Sequence, residues 1–116
     1  MVHTYKDLIV WQKSVQLAVL IYTLTEEFPK EEIYGLTSQM RRASVSVASN
    51  IAEGKLRGHS KEFKQFLMIA FGSGGEIETQ IEIAKQLHKT KDLDYRLADS
   101  LLTEIMKMLN TMIVQL

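Results

Sequence analysis

The sequence predicts an all-α fold, an antiparallel up-and-down four-helix bundle, and three observations carry the prediction. Apolar residues recur at helical spacing along almost the whole chain, turn signals divide it into four segments of helical length, and its single proline, Pro29, falls at one of the divisions. At 116 residues the chain has the length of one domain and can bury a core without metal or disulfide staples. Residues 1–116 are therefore read as one bundle.

The first helix is expected from about Asp7, its N-cap, to Phe28. It carries two stripes, one of Leu8, Trp11, Val15, Ala18 and Tyr22, the other of Val10, Leu17, Ile21, Leu24 and Phe28. Together they are broader than one seam of a small bundle needs, which leaves apolar surface for another subunit. Pro29 ends the helix, because the residue before a proline is pushed out of the α region. The second helix is expected from about Gly35 to Glu53, with Leu36, Met40, Ala43, Val47 and Ile51 or Asn50 as its stripe and Gly54 as its stop. The run from Ser44 to Ser49 imitates an alternating strand, but the flanking period is 3.6 and no partner strand is present. Small Ser and Ala side chains on a helix instead allow a neighbour to approach closely.

After a basic turn from Lys55 to His59, Ser60 is the expected N-cap of the third helix, with Glu62 in the first turn where the helix dipole favours a negative charge. The stripe continues through Phe63, Phe66, Leu67, Ala70, Gly74, Ile77, Ile81, Ala84 and Leu87. Gly72-Ser73-Gly74-Gly75 interrupts it. Each glycine costs on the order of 1 kcal/mol relative to alanine in a helix, so something must offset the cost or the helix bends. Lys89 to Asp94 is the last connection, and Ala98, Leu102, Ile105, Leu109, Met112 and Leu116 mark the fourth helix. Short connections place consecutive helices antiparallel.

The absence of cysteine excludes disulfides, thiolate metal sites and cysteine nucleophiles, and it fits a reducing cytoplasm. Met1 to Lys6 has no apolar signal core, and no apolar run is longer than the six residues of Leu17 to Tyr22, far short of the roughly 20 residues of a membrane span. A soluble, cytoplasmic chain without a membrane partner is the expectation. Formal net charge is zero, which argues against uniform coating on nucleic acid. The charge is nevertheless uneven: Arg41, Arg42, Lys55, Arg57, Lys61 and Lys64 face only Glu53 and Glu62 in that stretch, and the rest of the chain carries the compensating negative balance.

Catalytic and metal chemistry find little support. A di-metal carboxylate bundle needs a Glu-x-x-His motif on each of two helices, whereas Leu56 and Lys85 stand three before His59 and His88, and His3 precedes the first helix. All three histidines read as surface residues, and no metal, cofactor or catalytic residue is assigned. The helix 2 serines read as packing residues. The glycine cluster lacks the spacing and the Lys-Ser/Thr pair of a phosphate loop and follows no strand. It reads instead as a notch for a bulky side chain or a helix crossing. A hairpin of helices 2 and 3 about Arg57 brings Arg41 and Arg42 near Gly72 to Glu76, so an Arg42 to Glu76 pair is expected. Glu53, at a helix C-terminus where its charge is disfavoured, calls for a cation such as Arg57 or Lys61. Arg41, Arg42, Glu53 and Glu76 are thus read as structural charges.

Five stretches resemble one family: Tyr5-Lys6-Asp7-Leu8-Ile9-Val10-Trp11-Gln12-Lys13, Phe28-Pro29, Tyr34-Gly35-Leu36-Thr37-Ser38-Gln39-Met40-Arg41-Arg42-Ala43, Ser49-Asn50-Ile51-Ala52-Glu53-Gly54, and Gly72-Ser73 followed by Glu76-Ile77-Glu78-Thr79-Gln80. They are similar to bacterial four-helix bundle proteins first noticed as open reading frames inside intervening sequences of 23S ribosomal RNA genes. The resemblance covers essentially the whole chain. It implies a left-handed antiparallel bundle that associates into a ring, commonly a homopentamer. The similar accessory variability protein of diversity-generating retroelements is a pentamer that binds nucleic acid and a reverse transcriptase through basic surfaces. This chain departs from the pattern at Gly74, where a leucine-like residue is usual, and it is less basic than the retroelement proteins.

Two function classes follow. One is a non-catalytic oligomer that associates with RNA or DNA through Lys55, Arg57, Lys61 and Lys64, with a reverse transcriptase as a further partner that the resemblance implies. The other is a structural or protein-interaction module without nucleic-acid binding.

Overall fold

The computed structural model describes residues 4–116, which form four helices, α1 (Ile9–Thr25), α2 (Ser38–Arg57), α3 (Ser60–Ala84) and α4 (Arg96–Gln115), with no strand among the described residues. His3 lies outside them. The helices make an elongated body of 45 × 23 × 20 Å. Each packs on two others: α1 on α2 and α4, and α3 on α2 and α4. Across the α2–α3 seam residue numbers run in opposite senses. Arg42 meets Glu76, Ser46 meets Ser73 and Arg57 meets Glu62 between α2 and α3, while Lys85 meets Asp99 between α3 and α4.

Leu17, Ile21, Met40, Val47, Ile51, Leu67, Ile77, Ile81, Ile105 and Leu109 are fully buried between the helices. Burial of a side chain of this size stabilises by roughly 1.5–3 kcal/mol, so one continuous core holds the four elements together. The second stripe of α1, Val10 to Phe28, is entirely within that core. The first stripe is not: Val15 and Tyr22 are exposed, and Leu8, Trp11 and Ala18 only partly covered.

Several helix ends differ from the sequence expectation. Asp7 is not the N-cap of α1. It closes a short 3₁₀ turn, Tyr5–Asp7, in a capping box with Thr4, and Leu8 caps α1. The helix stops at Thr25 rather than Phe28, and a turn carries the chain to Pro29. Gly35 does not open α2. It has φ −113° and ψ −113° inside a wide turn, Ile33–Thr37, and the regular helix starts at Ser38.

The largest correction concerns Gly54. It is buried within α2 and stops nothing, because the helix continues to Arg57 and Gly58, at φ +78°, makes the left-handed stop. Only glycine takes that conformation without a steric cost. His59 is then the N-cap of α3 and Ser60 its first residue, with no side-chain cap bond. The α2–α3 turn thus shrinks to two residues. Helix α3 is unbroken through Gly72-Ser73-Gly74-Gly75.

Candidate functional site

The basic residues singled out by the sequence gather at one end of the molecule, but they do not form one face. With α2 extended to Arg57, Lys55 and Arg57 belong to its last turn, where a cation complements the helix dipole. Their side chains turn back onto aromatic rings of α3. Lys55 Nζ lies 5.6 Å from the Phe63 ring centre, and the Arg57 guanidinium lies 5.0 Å from that of Phe66. Both are within the range of a cation–π attraction. Arg57 is further held by Glu53 at 3.1 Å and Glu62 at 3.6 Å. It is the most compensated cation of the group, contrary to a reading in which all four charges stand open. Lys61 is exposed and Lys64 partly buried, and among the described residues neither forms an ion pair.

Phe63 and Phe66 were missed as partners of these cations. The signal was present, since Phe63 and Phe66, eight residues beyond Lys55 and nine beyond Arg57, return to them once the turn is short; a turn taken as five residues hid it.

The structural charges separate into different seams. Arg42 crosses to Glu76 at 2.6 Å and also donates to Gln39. Arg41 does not approach Gly72 to Glu76. One residue along a helix is a rotation of about 100°, which turns Arg41 toward α1, where it donates to the Thr25 hydroxyl at 2.9 Å and to the Tyr22 carbonyl at 3.3 Å and lies over the Tyr22 ring. Glu53, one turn inside the helix rather than at its end, accepts from Arg57.

The glycine cluster divides in the same way. Ser73 shares a hydrogen bond of 2.9 Å with Ser46, and Asn50 donates to Ser46 as well. Gly74 faces α4, where the Met106 sulfur occupies the space a side chain would need. Gly72 and Gly75 face open space.

A second feature lies between α1 and α2. Val15, Val19, Tyr22 and Val45 line a groove of about 480 Å³ whose floor is Ala18 and Ala48. Val19 is 62% exposed and Tyr22 43%. Glu26 stands at one end of the groove. No group of three or more metal-binding side chains occurs among the described residues, and none of their helices is long and apolar enough to cross a membrane.

The sequence profile of 23S rRNA-intervening sequence proteins matches residues 6–111. The chain belongs to that family. A protein with unknown function from the S23 ribosomal protein family of Bacteroides thetaiotaomicron VPI-5482 has a similar structure, with a TM-score of 0.74 and 24% identity over 90% of this chain and 98% of that one. At that identity the likeness concerns the fold. No curated protein matches this chain. The family description names no chemistry, and at the α2–α3 end Arg57 is taken up by Glu53, Glu62 and the Phe66 ring.

Proposed function

We propose that this member of the 23S rRNA-intervening sequence protein family is a non-catalytic, self-assembling, up-and-down antiparallel four-helix bundle, with the pentamer as its first-choice assembly. The observation that carries the reading is the groove between α1 and α2, where Val15, Val19, Tyr22 and Val45 form an exposed apolar strip. Light scattering of the purified chain tests it: the mass should be a multiple of 13.3 kDa, and Val19→Asp should reduce it. A stable monomer at micromolar concentration overturns the assembly.

Association with RNA or DNA is the second part of the reading, favoured by Lys61, exposed and without an ion pair among the described residues, beside Arg57, Lys55 and Lys64. Repetition of that end around an oligomer supplies the avidity a neutral subunit lacks. Contacts to phosphate are independent of sequence, and each neutralised phosphate adds roughly 0.7 to 0.9 to the log–log salt slope. Phe63 and Phe66 lie beneath the cations, so base stacking is not part of the proposal. In a salt-series binding assay Arg57→Glu with Lys61→Glu should abolish binding at unchanged helicity. Equal affinity and slope would leave a structural or protein-interaction module, the reading that the neutralisation of Arg57 by Glu53 and Glu62 favours. A reverse transcriptase as partner rests on the resemblance alone.

A further inference from the structure

We propose that the outward face of α3 binds the same face of a second copy of this chain, antiparallel and about a two-fold axis at Gly72. Three features of that face point to it. Met68 and Ile69 are 55% and 52% exposed. Beside them Gly72 and Gly75 have no atom within 4 Å of the place a Cβ would take. The charges divide along the helix: Lys61 and Lys64 lie in its first half and Glu76, Glu78 and Glu82 in its second. Glu62, the one acid of the first half, is turned to Arg57.

The second copy is the occupant because the pattern is complementary to its own reversal. Lys61, Met68, Gly75 and Glu82 stand seven residues apart and so form one row along the helix, and Gln65, Gly72 and Thr79 form the adjacent row. When two such helices run antiparallel with Gly72 opposite Gly72, a two-fold axis keeps each row against itself. Met68 then enters the space open at Gly75 of the second copy, Lys61 faces Glu82, and Gln65 faces Thr79. Lys61 meets an acid and Met68 an empty position; Glu82 also touches Lys85 of its own chain at 3.2 Å, but Asp99 holds that lysine more closely, at 2.7 Å, and the Glu82 side chain is 64% exposed. The bare backbone at Gly72 lets the helices approach closely at the axis. An isologous contact of this kind is separate from the α1–α2 groove and does not rest on it.

Lys61 also serves the nucleic-acid reading, so the single variants of the test are at Gly72, Gly75 and Glu82, and Lys61 enters only in the charge swap with Glu82. The chain has no cysteine, which makes Gly72→Cys a clean reporter. A disulfide needs Cα atoms within about 7 Å, a distance that this axis provides and chance encounter does not. Under mild oxidation Gly72→Cys should give a covalent dimer in most of the chain, and Ser100→Cys, exposed on α4, should not. Gly75→Leu, which fills the socket for Met68, should halve the mass of the assembly at unchanged helicity. Glu82→Lys should weaken the contact, and Lys61→Glu with Glu82→Lys should restore it. In a Val19→Asp background the Gly72→Cys dimer should persist, so failure of the groove assembly and failure of this contact read out separately. Cross-linking no greater than that of Ser100→Cys, or an unchanged mass for Gly75→Leu, overturns the proposal.

Discussion

Gly54 and Gly74 point into the molecule and Gly72 and Gly75 point out of it, and the same residue type does opposite things in the two places. Inside, the missing side chain is the contact. A Cβ on Gly54 would stand 2.6 Å from Phe66 Cβ, and one on Gly74 would meet the Met106 sulfur. Outside, the missing side chain touches nothing. The inner pair offsets its helix-propensity cost by bringing α2, α3 and α4 close together, whereas the outer pair has no compensation within one subunit. A glycine in a helix is therefore informative only once its direction is known.

The sharpest way to break this comparison is Gly54→Val. The clash falls on a Cβ atom, which cannot rotate away, so α2 and α3 must separate; overpacking of this kind costs about 1–3 kcal/mol, and the upper end is expected here. The midpoint of thermal unfolding should fall by roughly 10 °C. An unchanged midpoint would mean that the hairpin is not closely packed at Gly54.

Adjacent positions sharpen the comparison further. Gly75→Ala places a methyl group in open space and removes a glycine from mid-helix, so the dissociated subunit should gain up to about 1 kcal/mol. Gly74→Ala has the same propensity gain but displaces the Met106 sulfur, and a net loss of about 1 kcal/mol is expected. Denaturant titrations at low protein concentration measure both. Equal signs for the two neighbours would show that α3 does not discriminate its two sides.

The same distinction explains how much was legible in the sequence. Fold class followed from the periodicity, since every buried residue of α4, Ala98, Leu102, Ile105 and Leu109, lies on the stripe that spacing alone marks out. Gly54 was misread because a glycine after Ser-Asn-Ile-Ala-Glu satisfies the local rule for a helix stop; what overrides it is Phe66, twelve residues on, which no local rule contains. The error propagated to the candidate site. Ending α2 at Glu53 lengthened the turn, detached Arg57 from Glu62 and made the four cations look alike. Arg41 was misplaced for a related reason, since the hairpin register fixes a level along the axis but not the direction of a side chain around it.

The smallest effects should come from the charges assigned to helix pairing. Arg42→Met removes the cross-helix pair with Glu76, and Glu53→Gln weakens the hold on Arg57. A buried ion pair deprived of one partner would cost several kcal/mol. Here the side chains of Arg42 and Glu76 are 53% and 46% exposed and those of Arg57 and Glu53 48% and 53%, so water screens both pairs. Each substitution should cost less than about 1 kcal/mol, and the cost should shrink further in high salt. Glu53→Gln has a second consequence that the first lacks. Arg57 keeps Glu62 and the Phe66 ring but loses its nearer carboxylate, so its guanidinium becomes more available to an external anion. Glu53→Gln should therefore leave thermal stability almost unchanged while raising affinity for RNA or DNA at low salt, and Arg42→Met should change neither. Parallel melting and binding curves for the two variants decide it: a loss of several kcal/mol in either would place these pairs in the inner, close-packed class, and equal nucleic-acid affinity for both would detach Arg57 from binding.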